Sequence, residues 1–308
     1  MNNKIQSDNE WGQLKRVMVG TADYANWSTS DDFFKKHMEK SRWRETEFKF
    51  GPVAPYIIEQ ANSSLEKFVS VLTELGVEVS RPISRNYQEL DQFYGYCPRD
   101  TVLIVGNHII RAPTPFTSRA KEYETMQHAW EGFTMVVPDD LSAKFDAANV
   151  CRLGKDILYL ISPTGNLAGA QWLQDFLGKE YRVHTLDNIY NGVHIDSTIS
   201  PVREGLVVLN ASRINNENMP KVFKDWDKIW IHEDELAYQP FEYYPYASNW
   251  IGLNFLMVNE QLAIIDPKQK ILQFKLNASG IETIGVDLTA SRTLGGGHHC
   301  CTLDLFRV

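Results

Sequence analysis

Thr101-Val-Leu-Ile-Val105, then Gly106-Asn107, then His108-Ile-Ile110 is the stretch from which the fold can be read. Two short apolar runs rich in Val and Ile flank a pair of turn formers, which is the pattern of a β-hairpin. The same shape returns at Asn254-Phe-Leu-Met-Val258, Asn259-Glu260-Gln261 and Leu262-Ala-Ile-Ile265. Helical periodicity and a further short strand accompany such runs. From Pro55 to Leu75 the apolar residues Ile57, Ala61, Leu65, Phe68 and Leu72 keep to one helical face, Gly76 closes the helix, and Val77-Glu-Val79 begins a strand. Ala168 to Leu177 with Gly178 and Tyr181-Arg-Val-His184 is another instance. Val222 to Trp226 before Lys228-Ile-Trp-Ile231 is a third, and Pro267 to Leu276 with Gly280 and Ile281-Glu-Thr-Ile284 a fourth. Met135-Val-Val-Pro138 ends a fifth unit whose helix has no clear pattern.

The closing strands near 77, 135, 182, 229 and 284 recur about every 50 residues. Five ββαβ-like units at that spacing predict a ring, because one unit alone cannot cover its own apolar face and must stack on neighbours. Thr302 to Val308 is expected to pair beside the first strand. The fold class is therefore α/β, a five-bladed pseudosymmetric propeller, with residues 1–308 as a single domain. The competing reading is an ordinary mixed α/β domain.

Composition narrows the function. The chain has 308 residues, 31 Lys+Arg against 39 Asp+Glu, a net charge of −8 and 43% hydrophobic residues. An acidic chain without a basic cluster is not built to displace counterions from nucleic-acid phosphates. No apolar run approaches the roughly 18 residues that span a bilayer, and the opening Met1-Asn-Asn-Lys-Ile5 has no signal or transit character. Four cysteines in a chain of this length make no disulfide framework. These features point to a reduced, cytoplasmic protein.

The most unusual stretch is Leu294-Gly-Gly-Gly297-His298-His299-Cys300-Cys301-Thr302. Glycines are favoured where backbone bends sharply or approaches a ligand closely, and a thiol beyond such a loop, beside histidines, is a candidate nucleophile. Metal ligation by the same residues is discounted, since no second ligand pair stands at metal-site spacing elsewhere. If the stretch ahead of Thr302 is strand, Cys300 and Cys301 point to opposite faces, one to a site and one to packing. Val193-His194-Ile195-Asp196, read as strand, likewise puts His194 and Asp196 on one face, able to act as base and orienter. Asp100 and Asp156 stand beside basic residues at strand starts.

Nearly the whole chain then resembles the amidinotransferase family. The residues that carry the resemblance are Glu10-Trp11 through Arg16-Val-Met-Val-Gly20, Tyr96-Cys-Pro-Arg-Asp100, Val105-Gly-Asn107, Gly154-Lys-Asp156, His194-Ile-Asp196, Ser248-Asn-Trp250, Asn254 with Leu256-Met257, and Leu294-Gly-Gly-Gly297 with His299-Cys300 and Thr302. That family is similar in fold to the pentein superfamily of five-bladed α/β propellers. The resemblance implies Cys300 as nucleophile, His194 as general acid/base and Asp156 as the third member of the triad. It implies Asp100 and Asp196 as ligands of a donor guanidinium, Arg213 as partner of an amino-acid carboxylate, and Ser248 and Asn191 as pocket residues. The implied substrates are small molecules, L-arginine and an acceptor amine, with no cofactor or metal and a homodimer as the assembly that fits the family. The chemistry suits these residue types. A guanidinium stays protonated at every accessible pH, and carboxylates hold such planar cations through paired hydrogen bonds.

Two departures bear on the acceptor. His298 stands where the family usually has an aromatic residue, and Thr117 where relatives tend to have arginine, leaving Arg119 alone. A hydrolase of the same superfamily, with water in place of the amine, shares the triad and is the alternative reading. A catalytically silent propeller would need a lesion in the triad, and none is visible.

Overall fold

The computed structural model describes residues 4–40 and 48–308; the first three residues of the opening stretch read above lie outside them. Five three-stranded sheets carry the fold, all built alike. In chain order of their first strands, four run Val102–Val105, His108–Arg111 and Met135–Val136; Val150–Leu153, Asp156–Leu160 and Arg182–Leu186; Ile199–Arg203, Leu206–Asn210 and Asp227–Ile231; and Leu256–Asn259, Leu262–Ile265 and Glu282–Gly285. In each, the first two strands form an antiparallel hairpin and the third adds in parallel to the second. The remaining sheet uses both ends of the described chain. Thr302–Arg307 pairs antiparallel with Leu14–Val19, which pairs parallel with Glu78–Ser80.

The strands read as continuous apolar runs because both faces are covered: every residue of Val102–Val105 and of Leu206–Asn210 is buried. Gly106 takes φ +56° at its hairpin turn, where a Cβ would stand 2.6 Å from the Tyr181 hydroxyl, so glycine is needed there twice over.

Three of the expected helices form, at Pro55–Glu74, Leu167–Leu177 and Lys270–Ala278. The second is capped by the Asn166 side chain, which accepts from the Gly169 amide. The helix expected at Val222–Trp226 is only a 3-10 turn, Lys221–Phe223, too short for a cooperative helix. The unpatterned segment before Met135 is a chain of 3-10 turns, Thr117–Arg119, Glu122–Thr125 and Gln127–Trp130. No helix among the described residues is long and apolar enough to cross a membrane.

Where the first strands of the sheets approach one another, the interior is charged. Arg152 binds Glu10 (Nη2 to Oε2, 2.7 Å) and Asp304 (Nη2 to Oδ2, 2.8 Å), and also donates to the Ile104 carbonyl. Arg99 binds Asp304 at 2.7 Å, and Arg307 binds Asp304 at 2.8 Å while donating to the Met257 carbonyl. All of these side chains are buried. The network therefore links the strands that begin at Val102, Val150, Leu256 and Thr302.

A buried charge whose partner is removed is left uncompensated, which typically costs 3–5 kcal/mol. Arg152→Met is therefore expected to lower stability by about that amount in urea unfolding. Lys155→Met, at an exposed pair with Glu180, should shift it by no more than about 0.5 kcal/mol.

Candidate active site

Each sheet delivers its chemistry from the same place, the turn just before its first strand. Asp100 ends the 3-10 turn Pro98–Asp100 ahead of Val102, and Asp146 immediately precedes the turn Ala147–Asn149 ahead of Val150. His194 and Asp196 precede Ile199, Asn254 precedes Leu256, and Cys300 precedes Thr302. Five similar units thus converge five turns on one centre.

Cys300 is held by Asn254, whose Oδ1 accepts from the Cys300 amide at 2.9 Å and whose Nδ2 lies 3.2 Å from Sγ. Gly297 permits this cradle, since a Cβ there would meet Asn254 at 2.8 Å. The Cys300 thiol donates to Asp196 Oδ2 at 3.1 Å. His194 Nε2 lies 3.0 Å from Asp146 Oδ2, and its Nδ1 is 3.6 Å from Asp100 Oδ1. The backbone on either side of His194 is pinned. The Val193 carbonyl accepts from Ser162 and Thr164, and the Ile195 amide donates to Ala148 while its side chain is buried in the core.

The electrostatics follow from three buried carboxylates around one thiol and one imidazole. Burial works against a charged His194, but Asp100 and then Asp146 and Asp196 outweigh it and raise the imidazole to about 9. Contact with the Cys97 thiol, burial and the Asp196 charge push the Cys300 thiol well above its ordinary range. Burial opposes ionisation of Asp196 too, yet His299, His194 and Cys300 hold it well below the usual carboxylate range. The resting pair is therefore an imidazolium and a neutral thiol. Asp100 Oδ1 and Asp146 Oδ1 are buried with no hydrogen-bond partner among the described residues. Each is a buried acceptor whose hydrogen-bonding capacity is unused.

Behind this layer, His299 joins the site to the charged interior, its Nδ1 3.0 Å from Asp196 Oδ2 and its Nε2 3.2 Å from Glu10 Oε2. Arg119 fixes the far side of Asp100, donating to Oδ2 at 2.6 Å while also binding Glu122. His298 faces away from the centre. It packs edge-on against Phe68, lies 2.8 Å from the Val286 carbonyl, and burial lowers its pKa to about 4. A neutral ring thus fills the space of an aromatic residue.

The structure brings together Cys300, His194, Asp100 and Asp196, and it lines the adjoining cleft with Ser248, Tyr190 and Tyr246. Arg213 stands at its edge, bound to Ser197 and Thr198 with its guanidinium 3.6 Å over the Tyr190 ring. Asn191 is exposed on the loop ahead of His194 and is not among the cleft-lining residues.

Asp156 is not at the centre. It opens the second strand of its hairpin and pairs with Leu153, whereas Asp146 lies beyond the opposite end of that hairpin, and it is bound to Arg182 and His184 instead. The carboxylate against His194 is Asp146. Its signal in the sequence is positional: it precedes the first strand of its unit as Asp100 does. His194 and Asp196 also share the site without lying on a strand. Residues 196–198 form a turn, and the anchoring of Ile195 aims both side chains inward. Cys300 and Cys301 likewise occupy a turn; Cys301 packs with its thiol toward the Gly296 carbonyl.

A buried thiol, an imidazole and converging carboxylates, set at the turns that lead into five like sheets, form a constellation capable of nucleophilic cysteine chemistry. Comparison with known proteins specifies it further. The chain is 36% identical to inosamine-phosphate amidinotransferase 1 of Streptomyces griseus, over 98% of this chain and 97% of that protein. It is 28% identical to the L-arginine:L-lysine amidinotransferase of Pseudomonas savastanoi pv. phaseolicola, over 98% and 94%. The solved inosamine-phosphate amidinotransferase of Streptomyces griseus superposes with a TM-score of 0.89 at 34% identity, over 99% of this chain and 97% of that one. A cyanobacterial arginine dihydrolase domain shares the pentein fold at a TM-score of 0.70 and 15% identity, a likeness of fold alone. No protein-family model matches the chain. The chain belongs to the amidinotransferase family, and so to the transferases.

The two carboxylates are separable by experiment. In an NMR titration of the His194 ring, the midpoint is expected near 9 in the wild type. Because Asp146 favours the charged ring, Asp146→Asn should move that midpoint down, whereas Asp156→Asn should leave it in place. An equal response to both substitutions would return Asp156 to the site.

Proposed function

We propose that this protein moves the amidino group of L-arginine, through a covalent amidino-cysteine on Cys300, to an acceptor amine, releasing ornithine. The observation that carries the reading is the set of buried carboxylates Asp100, Asp146 and Asp196 gathered about His194 and Cys300, two of which, Asp100 and Asp146, keep an oxygen with no hydrogen-bond partner among the described residues. Such a cradle suits a planar cation with several donors, and the arginine-using relative supports arginine as that cation. On this reading the five sheets are the blades of one propeller spanning residues 1–308, with the site at its axis.

The chemistry proceeds from the resting charges. A guanidinium placed among the carboxylates brings positive charge to Cys300 and favours loss of its raised thiol proton. The thiolate attacks the guanidinium carbon, giving a tetrahedral adduct. Collapse of the adduct breaks the bond to the ornithine nitrogen, and His194, already protonated, gives that nitrogen its proton. An amidino group remains on Cys300. An acceptor amine then attacks the same carbon, His194 takes its proton, and the thiolate leaves. Arg213 receives the donor carboxylate, which requires Tyr190 to yield the face it now covers. The acceptor is an amine of an amino acid or of a specialised metabolite, as the relatives' names suggest by analogy.

Mixing the protein with L-arginine alone and quenching in acid tests this directly. The expected result is a mass gain of about 42 Da on Cys300, an amidino group in place of a hydrogen, with one equivalent of ornithine. Cys300→Ser should abolish the gain, and Cys301→Ser should keep most of it. Citrulline or urea accumulating over many turnovers would instead establish the hydrolase. Asp146→Asn should slow transfer by on the order of 10²–10⁴-fold, as loss of a positioned acid/base does. Arg213→Ala should chiefly raise the KM for arginine.

A further inference from the structure

One buried nucleophile has no part in this chemistry. Cys97, in Tyr96-Cys97-Pro98, is a buried free thiol in the same core cluster as Cys300. The two approach across Gly296. A Cβ on that glycine would fall 2.4 Å from the Cys97 sulfur and 3.2 Å from the Cys300 Cβ, so the space between them is the width of a missing side chain. The two thiols are close enough to perturb one another's ionisation, and Cys301 is likewise near Cys97. The neighbouring Cys301 is less well disposed to pair with Cys300. Its thiol is directed to the Gly296 carbonyl, and adjacent cysteines close only a strained eight-membered ring. The fourth cysteine, Cys151, lies in a different core cluster from the other three.

We propose that Cys97 is a resolving thiol, and that the pair Cys97–Cys300 is a reversible modification site at which a hydroperoxide switches the enzyme off. Cys300 opens onto the substrate cleft and is the thiol a small oxidant reaches. In the minority of molecules that hold Cys300 as thiolate, its sulfur takes the terminal oxygen of the hydroperoxide, which leaves as alcohol or water, and Cys300 becomes a sulfenic acid. The Cys97 sulfur attacks the Cys300 sulfur; hydroxide departs and combines with the Cys97 proton as water, leaving a disulfide. An external dithiol reduces the disulfide and restores both thiols. With Cys97 so placed, further oxidation to the irreversible sulfinic acid is intercepted. Occupation of the cleft by substrate should shield Cys300 and slow the modification. The loss of activity rests on Cys300 being the nucleophile, whereas formation of the bond does not.

The test uses the whole, reduced protein and hydrogen peroxide, followed by acid quenching, alkylation and mass spectrometry. The expected result is a loss of about 2 Da, with one cross-linked peptide pair containing Cys97 and Cys300, and recovery of mass and transfer activity with dithiothreitol. In Cys97→Ser or Cys97→Ala, Cys300 should instead gain about 32 Da and resist reduction. Cys151→Ser should behave as the wild type. A wild-type protein that passes straight to the product heavier by about 32 Da, or that links Cys300 to Cys301, would overturn the proposal. A Cys97–Cys300 disulfide that leaves transfer untouched would uphold the bond but remove both the switch and Cys300 as nucleophile. An amidino adduct on Cys300 without any disulfide would remove this proposal alone.

Discussion

Arg152 and Asp304, both sealed from water, impose the constraint on which the molecule depends. Neither charge tolerates burial without its partners, so Glu10, Arg99 and Arg307 must be brought to them. Meeting that demand fixes how the first strands of several sheets stand to one another, because two of the same guanidiniums also donate to the carbonyls of Ile104 and Met257. A purely apolar interior would leave those strands freer to slide. The interior charges continue into the chemistry, since Arg99 donates to the His299 carbonyl and His299 bridges Glu10 and Asp196. Asp196 in turn receives the Cys300 thiol.

The centre is over-supplied with negative charge, and this sets its resting protonation. Three carboxylates keep His194 charged, while the Cys97 thiol, burial and the Asp196 charge keep Cys300 neutral. On the proposed reading, a bound guanidinium would supply donors to the unpartnered oxygens of Asp100 and Asp146 and favour the thiolate in one event. Selectivity and activation thus share one cause. On that reading the thiol is least ionised while the cleft holds no cation.

Much of the fold was legible because its signals are local. Hairpins such as Thr101 to Ile110 declare themselves by β-branched runs about a glycine turn, and all five closing strands fall where the spacing puts them. The segments that escaped, at 222–226 and 117–130, are 3-10 turns whose periods fit no simple template. Among site residues, Cys300, His194, Asp100 and Asp196 were legible from motif and resemblance. Asp146 was not, because choosing it over Asp156 requires knowing which end of a hairpin faces the axis, and both carboxylates border the same hairpin. Glu10 lies far in sequence from Arg152 and His299, and nothing near it announces those partners.

The sheet shared by Leu14–Val19 and Thr302–Arg307 has a kinetic consequence. Closing it joins segments separated by almost the whole chain, the costliest loop the fold must form, and such pairings come late. Cys300 sits at the edge of that closure, two residues before the strand that completes it. A partly folded molecule, with four sheets made and the fifth open, therefore has an unassembled centre. Its thiol lacks the carboxylate set that would draw a cation to it. The pairing with the longest chain separation among these sheets is thus also the one that completes the centre.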